Sequence, residues 1–128
     1  MKLEQYSCLV VEDHPGIRQS IVFFFKNLGT FKYIIEAENG IDATAKLENQ
    51  EFNLIICDNN IPKKRGIDLI RHSIEIKNIP KDVFILISGE LSSDDVSVFL
   101  NYGIKHILVK PFSFKQLDQK IGQVLGIP

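Results

Sequence analysis

Neither sign of charge dominates this chain: 15 Lys and Arg stand against 16 Asp and Glu, a net charge of −1. No overall pull toward nucleic acid or an anionic membrane follows from that balance. No apolar run approaches the roughly 20 residues needed to span a bilayer as a helix. The opening Met1-Lys2-Leu3-Glu4-Gln5 lacks the apolar region of a signal peptide, so a cytoplasmic location is expected, with no membrane partner. Nothing resembles a helix-turn-helix or a basic recognition helix, which argues against nucleic-acid binding by this domain itself. Linkers, internal repeats and low-complexity stretches are also missing, so residues 1–128 read as a single domain.

Cysteine is scarce too. Cys8 and Cys57 are the only two, and both sit inside apolar, strand-like runs without metal-type spacing. They read as buried small hydrophobes. Counting back from the acids that end their strands places them roughly 13 Å apart along the strand direction, too far for a disulfide.

What is present is organised around residues 53–62, Asn-Leu-Ile-Ile-Cys-Asp-Asn-Asn-Ile-Pro. The unbroken apolar run 54–57 is short and partly β-branched, as expected of a strand buried on both faces of a parallel sheet. Asp58 follows at its carboxyl end, where open α/β sheets place their ligands. Taken alone, such an acid is more often a helix cap than a nucleophile or a metal ligand.

The rest of the chain repeats the pattern. Strands are expected at 6–11, 31–37, 54–57, 83–87 and 104–109, the second an edge strand because Lys32 and Glu36 interrupt it. Helices alternate with them. The first opens at His14-Pro15-Gly16 and closes at Gly29, with Ile17, Ile21, Phe24 and Leu28 on its apolar face and Phe25 at the edge. The second covers 40–49 with Ile41, Ala45 and Leu47 as apolar positions. The third carries Ile67, Leu69, Ile70 and Ile74 and runs until Pro80. The fourth starts among Ser92, Ser93, Asp94 and Asp95, whose acids suit a helix start, and stops at Gly103. The fifth is capped by Ser113 and carries Phe114, Leu117, Ile121, Val124 and Leu125. This alternation predicts a flavodoxin-like (βα)5 doubly wound parallel sheet of strand order 2-1-3-4-5.

In that order the strand ends line up. They deliver Glu12 and Asp13, then Asp58, Ser88 and Lys110. Carboxylates crowded together repel and raise at least one pKa unless a cation sits among them. Mg²⁺ accepts one or two carboxylates together with phosphate oxygen and water. A hydroxyl and an ammonium opposite would then hold the remaining oxygens of a phosphoryl group.

With these residues in this spacing, the chain resembles the receiver domains of two-component response regulators, in the chemotaxis-regulator style. The resemblance spans about residues 5–125 and rests on Glu12-Asp13, Asp58 with Pro62 and Gly66, Ser88-Gly89, and Gly103 before Lys110-Pro111-Phe112. It implies that Asp58 accepts a phosphoryl group from a histidine kinase or a histidine phosphotransfer protein in a phosphorelay. It also implies that Asp13, Asp58 and the backbone carbonyl of Asn60 bind Mg²⁺ directly, with Glu12 acting through water. Lys110 would pair with the phosphoryl charge and Ser88 would move to hydrogen-bond it. The chain would be a phosphoacceptor that assists its own phosphorylation and dephosphorylation rather than an enzyme. It would signal through strand 4, helix 4, strand 5 and helix 5, to a C-terminal output domain or a separate effector, as a monomer or a phosphorylation-dependent dimer.

Two departures from the family's usual pattern stand out. Ile107 occupies the position three before the lysine where receivers often carry an aromatic switch residue, and the loop after Asp58 is basic at Lys63-Lys64-Arg65. Phe23 falls off the core side of the first helix. His14 reads as a helix-entry residue, and His72 and His106 lie away from the phosphoryl-contact positions. Three rival readings fit less well. A flavodoxin-type binding module needs a Ser-, Thr- and Gly-rich loop where 12–16 is acidic. An aspartyl phosphatase wants a second acid where Asn60 stands. A degenerate receiver would not keep the complete set of acids, hydroxyl and lysine.

Overall fold

Every residue of Leu54–Asp58 is buried, and the chain builds a parallel sheet around it. The computed structural model describes residues 6–89 and 93–127. Its strands are β1 (Tyr6–Val11), β2 (Phe31–Ala37), β3 (Leu54–Asp58), β4 (Phe84–Ser88) and β5 (His106–Val109). They lie in the order β2-β1-β3-β4-β5, with every neighbouring pair parallel. The helices are α1 (Pro15–Leu28), α2 (Gly40–Asn49), α3 (Gly66–Glu75), α4 (Ser93–Asn101) and α5 (Phe114–Leu125). This is the doubly wound, flavodoxin-like order expected from the alternation.

Strand alternation sorts the core into two layers, because successive side chains point to opposite faces. Leu9, Val11, Ile55, Cys57 and Leu86 pack under Ala43, Leu69, Ile70 and Phe99 of α2, α3 and α4. Cys8, Val10, Leu54, Ile56 and Ile85 pack under Ile21, Phe25, Leu117 and Ile121 of α1 and α5. The two cysteines therefore lie on opposite faces. Cys8 is level with Leu54, so Cys57 sits three residues further along, roughly 10 Å, and a disulfide is excluded. The shorter separation arises because Val11 pairs with Cys57, which puts Glu12, not Asp13, level with Asp58.

Local signals fix the helix ends. His14 Nδ1 accepts from the Ile17 amide at 3.2 Å, and Asn39 Oδ1 from that of Asp42 at 2.8 Å. Ser113 and Gln116 form a reciprocal capping box at α5. Gly29 closes α1 in the left-handed region, φ 71°.

Several sequence expectations need correction. On α1 the fully buried aromatic is Phe25, not Phe24; Phe24 turns aside to stack on Phe114 with centroids 4.6 Å apart. On α2 the inward residues are Gly40 and Ala43, while Ile41 is 61% exposed and Ala45 faces solvent. A close approach sets that rotation: a Cβ on Gly40 would stand 2.2 Å from Lys64 Cβ. α3 stops at Glu75 rather than near Pro80, because Asn78 takes a left-handed turn, φ 57°, and the Ile79 amide bonds back to the Ser73 carbonyl. Val83 belongs to a 3-10 turn before β4. Ile104 precedes β5 and is tied instead to the Phe99 carbonyl. Ser92 and Glu90 lie outside the described residues.

Candidate functional site

The carboxyl ends of β1, β3, β4 and β5 converge on one acidic pocket. Beyond the last pairing of β1, the Glu12 amide donates to the Ala37 carbonyl at 3.0 Å, while the Asn59 amide donates to the Ile87 carbonyl at 2.8 Å. The Lys110 amide donates to the carbonyl of Ser88 at 2.8 Å. Each strand is thus held by its neighbour up to the residue that carries the chemistry.

Asp58 and Glu12 are each 2% exposed, whereas Asp13 is open to solvent. One carboxylate oxygen from each of the three lies within 4.8 Å of the others. Asp58 Oδ1 accepts from the Asn60 amide at 2.9 Å, and its Oδ2 contacts Lys110 Nζ. The same ammonium donates to Glu12 Oε1 at 3.3 Å, and Glu12 Oε2 accepts from the His14 amide at 3.1 Å. Burial, then the shared hydrogen bond and charge of Asp58, push the Glu12 carboxyl from its ordinary 4.5 up to about 7, against the lowering bond from His14. Burial works against the Lys110 ammonium, but the hydrogen bonds and charges of Asp58 and Glu12 outweigh it and raise its pKa. Both cysteine thiols are pushed up by burial and are inert.

The backbone beneath Asp58 is pinned as firmly as its side chain. Asn59 is buried; its Oδ1 accepts from the Ile67 amide at 3.1 Å and its carbonyl from the Gly66 amide at 3.0 Å. The start of α3 is therefore stitched to the end of β3.

A sequence model of the response regulator receiver domain matches residues 8–122. The chain belongs to the response regulator receiver family. The chemotaxis protein CheY1 of Helicobacter pylori is 34% identical over 122 residues, covering 92% of this chain and 95% of that one. Among solved structures, a CheY-like receiver domain from Methanospirillum hungatei superposes with a TM-score of 0.85 at 24% identity, over 96% of this chain and 95% of that one. A chain of the CheX–CheY–BeF3–Mg²⁺ complex from Borrelia burgdorferi superposes with a TM-score of 0.82 at 25% identity, over 94% of this chain and 90% of that one.

Receiver domains act as phosphoacceptors in phosphorelays and bind Mg²⁺ in their acidic site, and the Glu12–Asp13–Asp58 cluster fits that site. The fit is chemical: an all-oxygen donor set, crowded enough that one member is driven toward protonation, is what a hard divalent cation relieves. The structure brings Glu12, Asp13, Asp58 and Lys110 together. Ser88 is buried at the end of β4, and Asn60 enters through its backbone while its side chain lies exposed.

The two departures have structural consequences. Ile107 is partly buried against the α2/α3/α4 layer. The basic loop is only partly free: Lys63 adopts a left-handed φ of 69°, Lys64 packs on Gly40, and Arg65 pairs with Asp95 at 3.2 Å. Sequence reasoning missed Arg18, whose Nη1 donates to the Glu12 carbonyl at 2.7 Å. A cation directly after the apolar Ile17 and five residues after Asp13 was its available signal. Among the described residues no helix is long and apolar enough to cross a membrane.

Proposed function

We propose that Asp58 is the phosphoacceptor of this receiver. The observation that carries the reading is its placement: a buried carboxylate held between the Lys110 ammonium and two further acids. An Asp58 carboxylate oxygen forms the bond to phosphorus while the bond from phosphorus to the donor's imidazole nitrogen breaks. Such transfer requires in-line positioning and charge neutralisation rather than proton transfer. Asp13, Asp58 and the Asn60 carbonyl hold Mg²⁺ directly and Glu12 holds it through water; bound there, the ion supplies the positive charge that lets acids and phosphoryl oxygens coexist. Lys110 pairs with the phosphoryl charge, and the Ser88 hydroxyl turns to hydrogen-bond it.

The donor is a histidine kinase or a histidine phosphotransfer protein. It lies against the exposed side of α1, which begins two residues after Asp13 and presents Phe23 at 68% exposure. The response passes through β4, α4, β5 and α5, with Ile107 repacking where an aromatic would rotate. The chain assists its own phosphorylation and dephosphorylation, and 1–128 acts as one receiver domain.

The test is intact-mass measurement after incubation with a small phosphodonor and Mg²⁺. The wild-type chain gains one phosphoryl group, and the gain disappears without the metal. Asp58→Asn keeps the fold and gains nothing. Equal labelling of that variant would overturn the assignment.

A further inference from the structure

Glu12 is held at four points, and one of the holders is a side chain the phosphotransfer chemistry does not use. Its amide is bonded to Ala37, and its carboxylate oxygens to Lys110 and the His14 amide. Its carbonyl lies past the last paired residues of β1, where no strand among the described residues offers it an amide. Arg18 supplies the donor: Nη1 reaches the Glu12 carbonyl at 2.7 Å. The same guanidinium gives Nε to Glu36 Oε1 at 3.0 Å, and the arginine side chain is only 15% exposed. The clamp fixes the peptide that joins Glu12 to Asp13. That peptide sets the direction in which Asp13, an exposed residue, leaves the strand.

A cation here would ordinarily weaken a metal site, since like charges repel. Glu36, on the neighbouring strand β2, is positioned to cancel that charge. We infer that Arg18 is a positioning residue of the Mg²⁺ site, orienting the Glu12–Asp13 peptide, and that Glu36 neutralises it so that orientation is gained without repulsion. This rests on the reading of the acidic pocket as the Mg²⁺ site. Two opposite signs follow for removal of Arg18. Pure electrostatics makes Mg²⁺ bind more tightly; loss of positioning makes it bind more weakly. Outer partners that orient metal ligands typically contribute about tenfold or more to affinity.

The experiment is calorimetric titration of the full chain with Mg²⁺ at low and high salt, with circular dichroism reporting the fold. Arg18→Gln is expected to bind about tenfold more weakly, and Glu36→Gln about two- to fivefold more weakly at low salt, with recovery at high salt as the exposed charge is screened. Affinity equal to or above wild type in Arg18→Gln overturns the inference. If that variant fails to fold, Arg18→Lys decides: it keeps the charge but cannot span Glu12 and Glu36, so weaker binding supports positioning and unchanged binding overturns it. Absence of Mg²⁺ binding by the wild-type chain would instead sink the reading of the pocket.

Discussion

Gly66 lies flush against the backbone of the proposed acceptor: a Cβ there would stand 2.7 Å from the Asp58 carbonyl oxygen and 2.7 Å from Asn59 Cα. Both are main-chain atoms at the end of a buried strand, so neither can swing away. The glycine is required by close approach, not by a left-handed turn, since its φ is not among the positive ones. Gly66→Ala must displace either α3 or the Asp58 peptide. Overpacking of this kind costs about 1–3 kcal/mol, and a shift of the acceptor by a fraction of an ångström slows labelling by roughly tenfold. Urea unfolding and the rate of small-phosphodonor labelling measure the two effects; an alanine variant unchanged in both would contradict the geometry.

The raised Glu12 pKa predicts how stability depends on pH. Between its ordinary 4.5 and about 7 the folded chain keeps a proton that the unfolded chain has released. The folded state binds more protons in that window, so stability from this group falls as pH rises through it and levels off above. The expected loss in metal-free protein is on the order of 1–3 kcal/mol. Glu12→Gln removes the slope. His106, whose pKa burial lowers, contributes in the opposite sense, but equally in both proteins, so the difference between wild type and variant isolates Glu12. Identical pH profiles would show that Glu12 titrates normally.

The strand ends were legible because buried runs of β-branched residues followed by acids, hydroxyl and lysine leave little choice of place. Helix rotation was harder. In Phe23-Phe24-Phe25 each step is 100°, and periodicity cannot say which ring points inward when Phe114, from the far end of the chain, competes for Phe24. Likewise α2 turns on the contact between Gly40 and Lys64, residues from different elements. The Arg18–Glu36 pair was invisible for the same reason: it exists only once β2 is laid in register beside β1, with Val10 opposite Glu36. Asn78, by contrast, carried a readable signal, since Asn tolerates the left-handed turn that ends α3 early.

Asn60 stands exposed beside Asp58, and a polar amide there can orient water for attack on an acyl phosphate. The phosphoaspartate is expected to be short-lived. Glu90, two residues after Ser88 in the sequence, is expected to flank the same water route. Replacing Asn60 together with Glu90 by leucine should therefore lengthen the half-life several-fold, as followed by intact mass after removal of the donor. Unchanged or faster decay would count against a water-orienting role.

Phe23 gives the sharpest test of the docking face. It lies eight residues into α1, roughly 12 Å from the helix start, on a stripe with Gly16, Gln19, Ser20 and Asn27 that faces solvent. An exposed aromatic alone needs no function, but this one borders the route by which a phosphohistidine must reach Asp58. An aromatic anchor at the centre of an interface contributes on the order of 2 kcal/mol, which corresponds to roughly a 30-fold change in transfer at limiting donor concentration. Phe23→Ala should therefore slow transfer from a phosphohistidine donor by about that factor while leaving small-phosphodonor labelling intact. Equal loss with both donors would mean that the ring supports the fold, and equal retention would remove α1 from the docking surface. The first alternative already sits poorly with a side chain 68% exposed, so the comparison bears mainly on whether a partner covers it.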